Sequence, residues 1–162
     1  MSLFPEQCWK SDPEELLRLS DEPKLSALSC LEAYRFFKLG RTISVLTNVA
    51  IRIERTPTSL TLTAKTVSAP RSDIDPWTLH TSKDISDADW RSVVADVAAS
   101  EFWEMQSGPD DDGGSDGSDF VIEGLRDGRY QIIHRWNELH PNLHTAFNRA
   151  NELAELDSLG RP

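Results

Sequence analysis

The chain has 162 residues, 38% hydrophobic and 27% charged, with five Trp and six Phe, enough apolar material for one core and too little polarity for global disorder. Its net charge of −10 is concentrated: residues 1–81 hold ten acids and ten bases, whereas Asp84 to Asp119 holds eleven acids and one base, Arg91. Such a localised negative field repels phosphate backbones and attracts basic surfaces, so direct nucleic-acid binding is disfavoured and a basic protein partner is admitted.

Along the chain, Ser11 with Glu14 three residues later and Pro13 in the first turn predicts a helix, ended by Asp21-Glu22-Pro23. Tyr34–Leu39 reads as a strand stopping at Gly40. Val49, Ile51 and Ile53 then share one face opposite Arg52 and Glu54. Leu60–Thr66 alternates again after the Thr56–Ser59 turn, so the two runs form a hairpin. Residues 69–76 read as a loop, and Trp77–Lys83 as a further strand.

A helix opens at Ser86, with Asp87 and Asp89 in its first turn and Trp90, Val93, Val94 and Val97 on one side. Continued at about 100° per residue, Trp103 points away from that side. Either the helix ends near Glu101 or Trp103 is partly exposed. Residues 107–118 form a Gly/Asp-rich loop. Phe120–Leu125 and Arg129–Trp136 then flank Asp127-Gly128, the strongest hairpin signal in the chain. Pro141 starts a helix to about Leu156, with Leu143, Phe147, Ala150, Leu153 and Ala154 inward. This order predicts an α+β fold, an antiparallel β-sheet built from hairpins with helices packed mainly on one face. One domain is expected over 1–162, with an ordered core from 11 to 156 and an Asp/Gly-rich loop at 107–119.

No apolar run approaches the roughly 18 residues of a membrane span, and the N-terminus has no basic, then apolar leader. A cytoplasmic location away from membranes is expected. Cys8 and Cys30 are expected to be buried thiols rather than a disulfide in that compartment.

Several patterns mimic active sites. Gly113-Gly114-Ser115-Asp116-Gly117 matches a nucleophile elbow, but a loop precedes it and a strand follows, the reverse of the required strand-to-helix turn. Asp112, Asp116, Gly117 and Glu123 fall in the register of a calcium loop, yet Gly114 offers no oxygen at the third position. His140 and His144 are four apart, but Pro141 places the helix start between them, and no Cys or HExxH pattern supports a metal. His134 shares a face with Tyr130 and Ile132 and reads as structural. Glu101, Glu104 and Glu123 could form a glycosidase pair, although acids are too abundant here for that to count as evidence. No catalytic residue, metal ligand or cofactor is therefore assigned.

Phe102 and Trp103 beside the acidic loop have the composition of a protein-binding hot spot with a charged rim. The expected partner-binding set is Phe102, Trp103, Asp110, Asp111, Asp112, Asp116 and Asp119. The expected function is a non-enzymatic acidic binding protein, most concretely an immunity or antitoxin-like protein neutralising a basic partner such as a toxin. The alternatives are a small hydrolase or metal-dependent enzyme centred on the Asp-rich loop, and a structural or regulatory subunit.

The stretch Phe102-Trp103, Asp110-Asp111-Asp112-Gly113-Gly114, Asp116-Gly117-Ser118, Ile122-Glu123-Gly124, Arg126-Asp127-Gly128, Tyr130 and Arg135-Trp136 resembles a loose family of bacterial proteins without an established activity. Glu32–Phe36 and the strand holding Arg52 resemble its earlier part, so the likeness spans residues 32–156. After Trp136 the family's usual Ser-Pro is Asn137-Glu138 here. The resemblance implies a bacterial origin and a shared fold, and no reaction.

Overall fold

A computed structural model describes residues 22–41, 47–68, 79–106 and 117–155. Six strands form one antiparallel sheet: β1 (Glu32–Arg41), β2 (Thr47–Arg55), β3 (Leu60–Ser68), β4 (Leu79–Asp84), β5 (Gly117–Arg126) and β6 (Arg129–Trp136). Their order across the sheet is β4-β3-β2-β1-β5-β6. Helix α1 (Asp87–Ala99) follows β4 and α2 (Pro141–Ala154) follows β6. The fold is α+β with an antiparallel sheet, as the strand and helix patterns predicted. The expected helix after Ser11 lies outside the described residues, as do Trp77 and Thr78 ahead of β4.

Both hairpins form where alternation placed them. Ile53 lies opposite Leu62 and Ile51 opposite Ala64, so the apolar residues of β2 and β3 share a face. Arg126 pairs with Arg129 across a two-residue turn whose Asp127 (φ 51°) and Gly128 (φ 76°) are both left-handed. Two positive φ values twist the turn to match the strands, which is why Asp-Gly suits it. At α1, the Ser86 hydroxyl accepts the Asp89 N–H at 3.0 Å, satisfying a donor that the first turn leaves free. At α2, Pro141 fills N1, and His140 Nδ1 accepts the Asn142 N–H at 3.2 Å. His140 is thus a helix cap, while the His144 ring lies edge-on to Phe120.

One sheet face carries the main core. Tyr34, Phe36, Val49, Ile51, Ile53, Leu62, Ala64, Phe120, Ile122 and Ile133 are buried against Trp90, Val93 and Val97 of α1 and Leu143, Ala146, Phe147 and Ala150 of α2. Each large side chain there gains about 1.5–3 kcal/mol from leaving water. Phe147 sits edge-on to Phe36 (6.4 Å) and Phe120 (5.9 Å), locking α2 over the centre of the sheet. Arg149 Nε donates to Asp96 Oδ2 at 2.9 Å and ties the helices together.

The opposite face is built differently. Phe37, Ala50 and Val121 form a small apolar cluster with Ile132 packed on it. Next to it, a row of charges is buried at Glu22, Arg35 and Glu123 and half-buried at Arg52, Glu54 and Lys65.

Candidate functional site

The structure corrects the expected hot spot. α1 stops at Ala99, with the buried Ser100 hydroxyl donating to the Val97 carbonyl at 2.6 Å. Glu101 then adopts φ 58° and turns the chain into a single 3-10 turn, Phe102–Glu104. That reversal breaks the helical phase and swings both aromatics inward. Phe102 and Trp103 are buried against one another (centroids 5.2 Å apart) and against Tyr34 (6.4 and 6.2 Å). They are core residues, not exposed anchors.

Their seat is Gly124 of β5. A Cβ there would come within 2.7 Å of Phe102 Cε1 and 3.2 Å of both Trp103 Cη2 and a Tyr34 ring carbon. Arg126 and Arg129 place their guanidinium carbons 4.9 and 5.4 Å from the Trp103 ring centroid, adding cation–π attraction. The chain after Trp103 is then fastened along β6. Arg129 donates to the Trp103 carbonyl, Gln131 Nε2 to the Met105 carbonyl (2.7 Å), and Arg135 to the Gln106 carbonyl (3.2 Å).

Of the acids expected to face a partner, Asp110, Asp111, Asp112 and Asp116 lie outside the described residues. Asp119 does not belong to an exposed set. It is buried at the start of β5, its Oδ1 3.0 Å from His134 Nε2. His134 is correspondingly buried and structural. Ser118 and Asn137 close the neighbouring turn, through Ser118 N–H to Asn137 Oδ1 (2.8 Å) and Asn137 N–H to the Ser118 carbonyl (2.7 Å).

One part of the described acidic surface runs along α1 and its flanks. Asp84, Asp87, Glu101 and Glu104 are exposed. Asp87 accepts from Arg91 (2.8 Å) and Glu104 from Arg129 (3.4 Å), both pairs in solvent, where such pairs contribute little. Asp84 and Glu101 have no ion-pair partner among the described residues. Asp84 and Asp87 share a groove of about 500 Å³ at the end of the sheet.

The feature that the alternation pattern did not reveal is the buried charge row. Arg35 of β1 is fully buried. Its Nε donates to Glu123 Oε2 on β5 at 2.6 Å, and its Nη1 to the Pro23 carbonyl (2.6 Å) and Glu22 Oε2 (3.4 Å). Glu22 also accepts from Arg52 Nε (2.7 Å) and Lys65 Nζ (3.0 Å), while Arg52 reaches Glu54. Among the described residues three cations meet three carboxylates. Burial pushes the Glu22 carboxyl up, but Arg52 and Lys65 outweigh it and hold it below its ordinary value. At the other end the Tyr130 hydroxyl donates to Glu123 Oε1 at 2.7 Å. Partial burial of this half-exposed side chain and the adjacent Glu123 charge hold that phenol above its usual range.

A signal for this row did exist. Arg35 interrupts Tyr34–Phe37 and Glu123 interrupts Phe120–Leu125, one charge of each sign inside two otherwise apolar runs. Burial of one charge demands the other. Glu123, once a candidate calcium ligand or glycosidase acid, is committed to Arg35 and Tyr130. Cys30 is a free, half-buried thiol whose pKa burial pushes up.

Among the described residues no group of three or more His, Cys, Asp or Glu side chains could hold a metal ion, and no helix is long and apolar enough to cross a membrane. No protein-family model matches the chain, and no curated protein matches it.

Proposed function

We propose that the protein is a non-enzymatic acidic binding protein that docks a basic partner protein, most concretely as an immunity or antitoxin-like protein of a bacterial cytoplasm. The observation that carries this reading is the division of the carboxylates. The buried ones, Glu22, Glu32, Asp119 and Glu123, are held by cations, a histidine or a tyrosine hydroxyl within the fold. Of the exposed ones, Asp84, Asp87, Glu101 and Glu104 stand on one chain segment in the window that contributes the net charge, while Asp127, Glu138, Glu152 and Glu155 lie beyond it, where bases nearly balance the acids. Buried carboxylates secure the fold and exposed ones project a field. A field of this kind speeds association with an oppositely charged surface and does little for dissociation.

The test is affinity capture from a bacterial lysate, followed by binding kinetics on the purified partner. Neutralising Asp84, Asp87, Glu101 and Glu104 together with Asp110, Asp111, Asp112 and Asp116 to the corresponding amides lowers the association rate about tenfold or more at low salt. The dissociation rate changes far less. Asp119 stays unaltered because it is buried with His134. An unchanged association rate, or a partner without a basic surface, would sink the proposal.

A further inference from the structure

Resting on that reading, we infer that the groove between the β2–β3 turn and the start of α1 is the seat for a lysine or arginine side chain of the basic partner. The groove is about 500 Å³ and open to solvent. Leu31, Pro57 and Ile85 supply an apolar lining, and Asp84 and Asp87 supply two carboxylates. A long basic side chain has this same division, an aliphatic stem and a charged head that stays wet.

The remaining charge of the lining is Arg55, and it is already matched. Its Nη2 donates to Glu32 Oε2 at 3.2 Å, and its guanidinium carbon lies 6.0 Å from the Trp90 ring centroid. The groove therefore presents negative charge to an incoming group. Two of its hydroxyls are already engaged, because Thr56 and Ser59 bond each other at 2.7 Å and the Thr56 oxygen caps the Ser59 N–H at 3.1 Å. Asp84 has no ion-pair partner among the described residues, and the Asp87–Arg91 pair is an exposed one that a better-placed cation can displace.

A polypeptide, rather than a free cation, suits the rim. Leu31 is 49% exposed there, one of two large hydrophobic side chains left exposed among the described residues. A free polyamine would leave it wet, whereas the residue next to a basic side chain on a protein would cover it.

The experiment titrates the isotope-labelled protein with the peptide acetyl-Leu-Arg-Leu-amide and follows amide shifts. Shifts at Leu31, Asp84, Ile85 and Asp87 are expected. The peptide with citrulline in place of arginine, which keeps the shape without the charge, binds about tenfold more weakly, the worth of one charge-assisted hydrogen bond. The variant D84N/D87N shows the same loss for the arginine peptide, with its own amide spectrum otherwise that of the folded protein. Equal binding of the citrulline peptide, or of the arginine peptide to D84N/D87N, would overturn the inference. Shifts confined to Glu101 and Glu104 would overturn the groove while leaving the acidic docking surface in place. No shift anywhere would count against both.

Discussion

The two faces of the sheet bury side chains by opposite means. Toward the helices, Tyr34, Phe36, Ile51, Ile53 and Ile122 meet other hydrocarbon, so each contributes by the area it hides and its neighbours are interchangeable in kind. On the other face, alternate residues of the same strands, Arg35, Arg52 and Glu123, are hidden because each holds a specific opposite charge. Apolar burial tolerates a missing partner; ionic burial does not, since the survivor is left charged in a poor solvent. The helix face supplies most of the stability, and the ionic face supplies a condition on register.

That contrast is broken hardest at Arg35. Arg35→Met leaves Glu123 without a cation and costs about 3–5 kcal/mol in urea unfolding. The double change Arg35→Met/Glu123→Leu recovers most of the loss, because an apolar pair of similar volume replaces an ionic one. A single-variant loss below about 1 kcal/mol, in the range of an exposed pair, would show that the row is solvated and the contrast false.

On the helix face the matching probe is Gly124→Ala. The added methyl meets Phe102 and Trp103, and overpacking of this kind costs about 1–3 kcal/mol. It also shifts the emission of Trp103. No change in either would mean that the aromatic pair is not seated on the strand.

The row's titration gives a smaller effect with a defined sign. The folded Glu22 pKa is depressed, so its stabilisation is complete above the unfolded carboxylate value of about 4.3 and is lost as pH falls through the folded value. Tyr34 and Tyr130, the chain's two tyrosines, work in the opposite sense. Burial, complete at Tyr34 and only partial at the half-exposed Tyr130, raises both, with Glu32 and Glu123 adding to it, so their contribution is complete below about pH 10 and is lost as pH rises through the folded values. Absorbance at 295 nm therefore stays flat past pH 10 until the chain unfolds. Phenolate appearing at that pH in a folded chain would contradict the hydrogen bonds to Glu32 and Glu123.

The smallest effect is on the surface. Arg91→Ala removes an exposed pair with Asp87 and changes stability by less than about 0.5 kcal/mol, whereas Ser86→Ala, one turn away, costs about 1 kcal/mol through the lost cap. Thermal unfolding of the two variants in parallel ranks them. A reversed order would mean that the ion pair, not the cap, fixes the start of α1.

What was legible in the sequence was local. Val49–Ile53, the Asp127-Gly128 turn and the Ser86 cap are decided by residues a few positions apart, and the structure places each as expected. What was not legible depends on contacts far along the chain or on a single backbone angle. Arg35 and Glu123 are 88 residues apart; each stands out as a charge within an apolar run, but their pairing is not visible until β1 is known to lie beside β5. Helical phase leaves either a helix end near Glu101 or a partly exposed Trp103, and one left-handed residue, Glu101, decides for the first and buries Phe102 and Trp103. The exposed carboxylates of the candidate docking surface were visible as a charge window, but the groove that gathers Asp84, Asp87 and Leu31 requires the sheet.

The β1–β5 pairing also has a kinetic consequence. Strands β1 to β4 follow one another across the sheet, and β5 with β6 forms a hairpin, so each part can assemble from near neighbours. Joining them closes the longest loop in the sheet, and chain entropy must be lost before the seam returns any of it. The seam is where Arg35 meets Glu123, so their desolvation falls in the same step as that closure. Folding should therefore be governed by the docking of a four-stranded meander on a hairpin, with the charge pair recognising the correct alignment as the two halves meet.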